Sequence, residues 1–248
     1  MSDPTREELL ISVLADRLAG DRHVAVGAAS PIPGAAALLA KAETDRRMQV
    51  TIIHSRRHNP FTEGSRELFD CAASGKIDTF FLGGVQLDGQ ANINLVGIGD
   101  YPQMKKRFPG SFGSALMYYV VPKVILFREE HSPRTLVEKV DFVSAPGASS
   151  EGIHRPGGPQ ALVTGRCVFD FDRDRARFTL RSTHPGESVA SIRDQTGFDF
   201  DVPDDMAGDV PETPAPSAER LALIRDKIAP QVQGFYPEFA ARIWGLAA

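Results

Sequence analysis

Tryptophan occurs once and cysteine twice in the 248 residues. Cys71 and Cys167 are far apart and embedded in apolar patterns, which excludes a disulfide framework and predicts two buried thiols in a reducing compartment. No apolar run reaches the roughly 18 residues that a membrane span needs. No long basic run is present and the formal charge is −4, which argues against a nucleic-acid surface. The stretch Met1-Ser2-Asp3-Pro4-Thr5-Arg6-Glu7-Glu8 is acidic and polar, where a secretory signal is basic and then apolar. Together these absences predict a cytoplasmic location. A phosphate-binding P-loop, a dinucleotide fingerprint, a Ser-His-Asp spacing and a zinc-ligand pattern are all missing, and so is any internal repeat.

The remaining composition is ordinary for a folded protein, 42% hydrophobic and 24% charged. Its length suits one large α/β domain over residues 1–248, ahead of the alternative of two small ones. Asp3 to Glu8 offers a cap, a proline and first-turn carboxylates, and Leu9, Leu10, Val13, Leu14 and Leu18 follow at helical spacing before Gly20. His23 to Gly27 reads as a strand, Ala28 to Gly34 as a small-residue turn, and Ala35 to Ala42 as a helix. Met48 to His54 is a second buried strand, Glu63 to Ser74 an amphipathic helix, and Ile77 to Leu82 a third strand. This alternation predicts a largely parallel open sheet flanked by helices.

Further along, Lys123 to Phe127 and Val137 to Ser144 read as strands, with a Gly-Pro-Ser loop from Ala148 to Pro159. Arg166 to Phe171 and Arg177 to Ser182 alternate apolar and polar residues around Asp172-Arg173-Asp174-Arg175, which predicts an added antiparallel hairpin. Ser188 to Gln195 and Ser217 to Ile228 are capped helices, separated by a mobile linker over 203–216. Phe235, Tyr236, Phe239 and Trp244 make an aromatic tail that either joins the core or covers a partner subunit.

Three features carry chemistry on their residues alone. The first is a pair of glycine loops, Gly83-Gly84 after the third strand and Gly110-Ser111-Phe112-Gly113 before a short helix. Backbone N–H groups in such loops can hold an oxyanion. Beyond Gly84, the spacing of Asn92 and Asn94 puts two carboxamides on one face of an extended segment, where they fix either a polar ligand or merely a turn. The second is Glu129-Glu130-His131 at a strand end, either an acid–base pair or a solvated terminus. The third is His54-Ser55-Arg56-Arg57-His58 at the carboxyl end of the second strand, where open α/β sheets bind ligands. His54 is there a base, a donor or simply a satisfied histidine. The pairs Arg46-Arg47, Arg56-Arg57 and Lys105-Lys106 are solvated faces or receivers of an anionic cofactor tail.

Gly83-Gly84-Val85-Gln86-Leu87-Asp88 with Gly89, Asn92 and Asn94 resembles the Gly-Gly-Ala-Gln-Ile-Asp, Gly-Asn-x-Asn signature of family I CoA-transferases, in the B (beta) subunit of the glutaconate CoA-transferase type. Ile98 to Tyr101, Pro109 to Gly113, Lys139 to Gly147, Gly158 to Thr164, Thr196 to Asp201 and Leu223 to Pro230 resemble the family in the same order. The resemblance implies the CoA-transferase fold and substrate or CoA contacts at Gly83, Gly84, Gln86, Asn92, Asn94, Gly110, Ser111 and Gly113. It implies acyl-CoA thioesters as substrates, coenzyme A as part of the substrate with no permanently bound cofactor, and a homologous A subunit in an α2β2 heterotetramer.

One position departs from the family pattern. Transferases of this type attack the thioester with a beta-subunit glutamate at the end of the second strand, and His54 stands there. Relatives without that glutamate include two-subunit hydrolases that open a ring of a CoA-linked steroid intermediate with a glutamate from the A subunit. The sequence therefore leaves transfer, acyl-CoA hydrolysis and a non-catalytic partner-stabilising role open. His54 and Glu129 are its two candidate catalytic residues.

Overall fold

A computed structural model describes residues 3–44, 47–203 and 210–247. Met1, Ser2 and Arg46, named above, lie outside the described residues. In chain order the first elements are α1 (Arg6–Asp16), β1 (His23–Val26), α2 (Pro31–Glu43), β2 (Gln49–Ile52), α3 (Ser65–Ala73) and β3 (Thr79–Leu82). Short strands follow as β4 (Gln86–Leu87), β5 (Ile93–Asn94), β6 (Gly97–Ile98) and β7 (Lys106–Arg107), then α4 (Ser114–Val120) and β8 (Lys123–Arg128). The chain continues through β9 (Pro159–Thr164), β10 (Cys167–Asp172), β11 (Arg177–Thr183) and α5 (Val189–Gln195). It closes with α6 (Ala218–Leu223), a π turn (Ile224–Ile228), α7 (Ala229–Gln233) and α8 (Pro237–Trp244). Contacts divide these elements into two units. One holds the chain up to Leu68, Lys76–Phe81 and everything from Pro214, and the other holds Phe69–Gly75 and Leu82–Thr213.

In the first unit, β1 pairs in parallel with β2 and with β3, placing Val24 beside Val50 on one side and Thr79 on the other. All four residues of β1 are buried, as expected of a strand covered on both faces. Thr5, rather than Asp3, caps α1: its hydroxyl accepts from the Glu8 N–H while the Glu8 carboxylate accepts from the Thr5 N–H. The second helix begins at Pro31, four residues earlier than the sequence pattern suggests. Pro31 and Pro33 sit in its first turn, where the missing N–H groups have no intrahelical acceptor to lose.

The helix expected over Ser217 to Ile228 keeps its serine cap but widens at Ile224–Ile228 into a π turn, where the Ala229 N–H reaches the Ile224 carbonyl. Pro230 follows directly. A proline there would collide with a regular helical carbonyl four residues earlier, and the wider turn accommodates it. Arg220 on α6 fastens that segment to α1 and α2 through Asp16, Glu43 and Ser12.

In the second unit, β8 runs parallel to β9, and β9, β10 and β11 follow antiparallel. The predicted hairpin is therefore present, turning at Ala176 in the left-handed region, φ 48°. Beneath it Phe169, Phe178, Phe198 and Phe200 form a cluster of rings with centroids 5.0–6.4 Å apart. Cys167 is buried as expected, whereas Cys71 is only half-buried.

The strand expected over Val137 to Ser144 does not form. Its backbone is used by β4, β5 and their side chains: Val137 N–H donates to Leu87 O, Asp141 N–H to Gln86 Oε1, and Ser144 N–H to Ile93 O. Of the linker expected over 203–216, residues 204–209 lie outside the described residues. Beyond them Glu212 bridges to Thr183, and the Thr213 N–H donates to the Thr183 carbonyl at 2.7 Å. Among the described residues no helix is long and apolar enough to cross a membrane.

Candidate functional site

At the end of β2 the chain folds back on itself. The Ile52 N–H donates to His58 O, the Ser55 N–H to Ile52 O, and the His58 N–H to the buried Ser55 Oγ, at 2.9–3.2 Å. The Asn59 amide closes the turn on Ile53 O at 3.2 Å. The small, buried Ser55 lets the turn close, and its neighbours His54, Arg56 and Arg57 point outward, exposed. The His54 ring lies parallel to Tyr236, centroids 5.1 Å apart and planes within 3°. Tyr236 is itself fixed, its hydroxyl accepting from the Ser30 N–H at 2.9 Å, and burial raises its pKa.

His54, Arg56, Arg57 and His58 line an open hollow of ≈ 590 Å³ with Gln231 and Phe235. Among the described residues no carboxylate lines it. His58 meets Phe235 edge-on at 6.1 Å, and its pKa is lowered by burial and then by the charges of Arg57 and Lys41. Sequence reasoning missed Tyr236 as part of this site, and it gave Ser55, within the flagged stretch, no role in closing the turn. The aromatic tail was visible, but nothing in the spacing ties position 236 to position 54.

In the second unit the glycine pair serves close packing. A Cβ on Gly83 would stand 2.7 Å from Phe127 O, and one on Gly84 2.7 Å from Gln86 O and Ile93 Cγ2. The carboxamides that follow are engaged with the surrounding chain. Asn94 Nδ2 donates to Gln86 Oε1 and Gly97 O, both at 2.7 Å, while its Oδ1 accepts from Val96 and Gly97. Asn92 donates to Asp88 Oδ2 and accepts from the Gly147 N–H. Asp88, buried at the turn, also accepts from the Gln90 and Asn92 N–H groups. In this structure Gln86, Asp88 and Asn92 hold the β4–β5 hairpin to the 139–147 segment, and Asn94 ties Gln86 to Gly97.

The Gly110 loop opens α4. Gly110 has φ 102° with open space around it, and Ser111 O accepts from the Ser114 N–H at 2.8 Å. Gly113 has a packing reason to be glycine, since a Cβ there would lie 2.0 Å from the Phe69 ring. Phe112 is held at φ 47° with 82% of its surface exposed.

The Glu129-Glu130-His131 run separates into three environments. Glu129 is half-buried after β8, and its carbonyl accepts from Gly165. Glu130 pairs with Arg134 and Arg128; burial works against its charge, but these partners and Ser132 hold its pKa below the ordinary value. His131 is buried between the Thr164 and Thr196 hydroxyls, at 2.8 and 3.0 Å. Its imidazole therefore meets hydroxyls, not the neighbouring carboxylates.

The parallel strands of the first unit, the β4–β5 hairpin and the glycine loop before α4 agree with the resemblance carried by the sequence motifs. The coenzyme A transferase family model matches residues 8–195, and the chain belongs to that family. It is 34% identical over 157 residues to the B subunit of glutaconate CoA-transferase from Acidaminococcus fermentans, covering 60% of this chain and 56% of that one. It is 29% identical over 178 residues to the cholesterol ring-cleaving hydrolase IpdB subunit of Rhodococcus jostii, covering 67% of this chain and 65% of that one. The chain thus matches less than two thirds of the length of these relatives.

The solved structures of the same two systems agree on the fold. IpdAB of Rhodococcus jostii superposes with TM-score 0.79 at 25% identity, over 93% of this chain and 96% of that one. Glutaconate coenzyme A-transferase of Acidaminococcus fermentans gives TM-score 0.78 at 25% identity, over 94% and 97%.

Proposed function

We propose that this chain is the B-type component of a two-component enzyme acting on acyl-CoA thioesters, completed by a homologous A-type component in an α2β2 assembly. The observation that carries the reading is the exposed imidazole of His54 at the end of β2, in a hollow that no carboxylate among the described residues lines. Membership of the family supports the thioester substrate, and the similarity to two-subunit relatives supports the partner. The Gly110-Ser111-Phe112-Gly113 loop of the second unit is a separate candidate for an oxyanion contact through its N–H groups. Coenzyme A enters as part of the substrate.

His54 decides between reactions. A carboxylate nucleophile adds to the thioester carbonyl, expels the thiolate and later carries coenzyme A as an ester. An imidazole cannot make that ester. Transfer by this enzyme therefore requires a carboxylate elsewhere, on Glu129 or on the A subunit. The specific presence of a base favours a second, hydrolytic reading. His54 takes a proton from water, the water oxygen bonds to the acyl carbon, the C–S bond breaks, and the thiolate leaves with the proton.

The assembled A-type and B-type chains are incubated with acyl-CoA, treated with borohydride, and the present chain is weighed by mass spectrometry. No coenzyme A adduct or reduced glutamate is expected on this chain, and His54→Ala should lower kcat while substrate still binds. A modified Glu129 would move the nucleophile there and overturn the role of His54. Full acyl-CoA activity of the isolated chain would remove the A subunit from the reading.

A further inference from the structure

The hollow after β2 carries more positive charge than a general base needs. Arg22, Arg66, Arg220, Arg225 and Arg242 in the same unit each hold a carboxylate. Arg56 and Arg57 hold none among the described residues, although they are adjacent in sequence and both line the hollow. His58 follows them in the same lining and is half-buried, so its ring stands close enough to report an anion held by the pair.

We propose that this hollow binds an oxyanion of the substrate: a carboxylate at the far end of the acyl group, or a phosphate of the coenzyme A tail. The identity of the ligand rests on the acyl-CoA reading above, while the anion chemistry rests on the hollow itself. Two guanidinium groups offer planar forks that fit carboxylate or phosphate oxygens in pairs. Burial, followed by the charges of Arg57 and Lys41, lowers the pKa of the neighbouring His58, so a bound anion acts against that shift. The turn that presents these groups is closed by the Ser55 and Asn59 hydrogen bonds, which leaves little to reorganise on binding. His54 stands on the rim of the same hollow, so an anchored oxyanion would fix the substrate beside the reacting imidazole.

The full chain with isotope-labelled histidine rings is titrated by NMR with glutarate and, in a second series, with coenzyme A. At least one of the two should move the His58 ring signal saturably and raise its titration midpoint, because an anion favours the protonated ring. A response to glutarate alone assigns the site to an acyl carboxylate, and one to coenzyme A alone assigns it to the phosphates. Arg56→Gln with Arg57→Gln should weaken that binding about tenfold or more. Arg66→Gln with Lys76→Gln, which removes as much charge elsewhere, should leave it unchanged. A His58 signal that neither ligand moves overturns the proposal, as does undiminished binding by the Arg56/Arg57 variant. The ring titration needs no turnover, so absence of acyl-CoA activity in the complex would refute the proposed function and leave this result standing.

Discussion

His131 shows how a residue can look reactive in sequence and serve packing in space. Its two ring nitrogens meet threonine hydroxyls, and burial, followed by the nearby charges of Arg166 and His184, lowers its pKa to about 4. The unfolded chain has the ordinary value of 6.5 and binds the proton first as pH falls. The stability that His131 contributes is therefore complete above pH 6.5, declines below it, and is gone once the folded pKa of about 4 is passed. The full span corresponds to about 3 kcal/mol. Urea denaturation at pH 7 and at pH 4.5 should show this loss in the parent chain and a smaller one in His131→Gln. His23 and His58 also have lowered values, so the difference between the two proteins, not the slope of either, isolates His131.

Among the elements, those set by local chemistry were legible in the sequence. The capped start of α1, the buried run of β1 and the alternation of β10 and β11 each depend on residues close together in the chain, although the Thr5–Glu8 box that makes the cap was not singled out. Asn92 and Asn94 were legible as a pair, but their partners were not. Gln86, Gly97 and Gly147 are joined to them by a hairpin and a distant loop whose contacts no periodicity encodes. For the same reason Val137 to Ser144 looked like a strand, because it is rich in valine and phenylalanine while its hydrogen bonds go to a hairpin instead of a sheet. Asn94 is fully buried, so Asn94→Leu removes the partner of Gly97 O and of the Val96 and Gly97 N–H groups. A loss of about 2–4 kcal/mol is expected from these stranded groups. Chemical denaturation should read it, with hydrogen exchange quickening at residues 94–97 before elsewhere in the second unit.

At the scale of the molecule, the first unit is assembled from both ends of the described chain. Glu8 on α1 is buried and receives Arg225 through two 2.7 Å contacts, with the Trp244 indole N–H at 3.2 Å. Burial raises the pKa of Glu8, but the Arg225 and Thr5 hydrogen bonds outweigh it and hold the group below its ordinary value. Arg225→Met removes the counter-charge of a buried carboxylate and should cost about 3–5 kcal/mol in urea denaturation. Replacing both partners, with Glu8→Leu added, should recover most of that loss. If the single and double variants are equally unstable, the pair acts through packing and not through charge.

That arrangement also sets an order of events during synthesis. A ribosome that has made α1, β1 and β2 has produced a carboxylate without its guanidinium and an imidazole without the tyrosine it stacks on. Residues 82–213 emerge in between and belong to the other unit. The face carrying His54 is thus among the last parts of the chain to be finished. It waits for Tyr236 and the lining residues Pro230 to Pro237 to emerge, long after the strand that bears it has been translated.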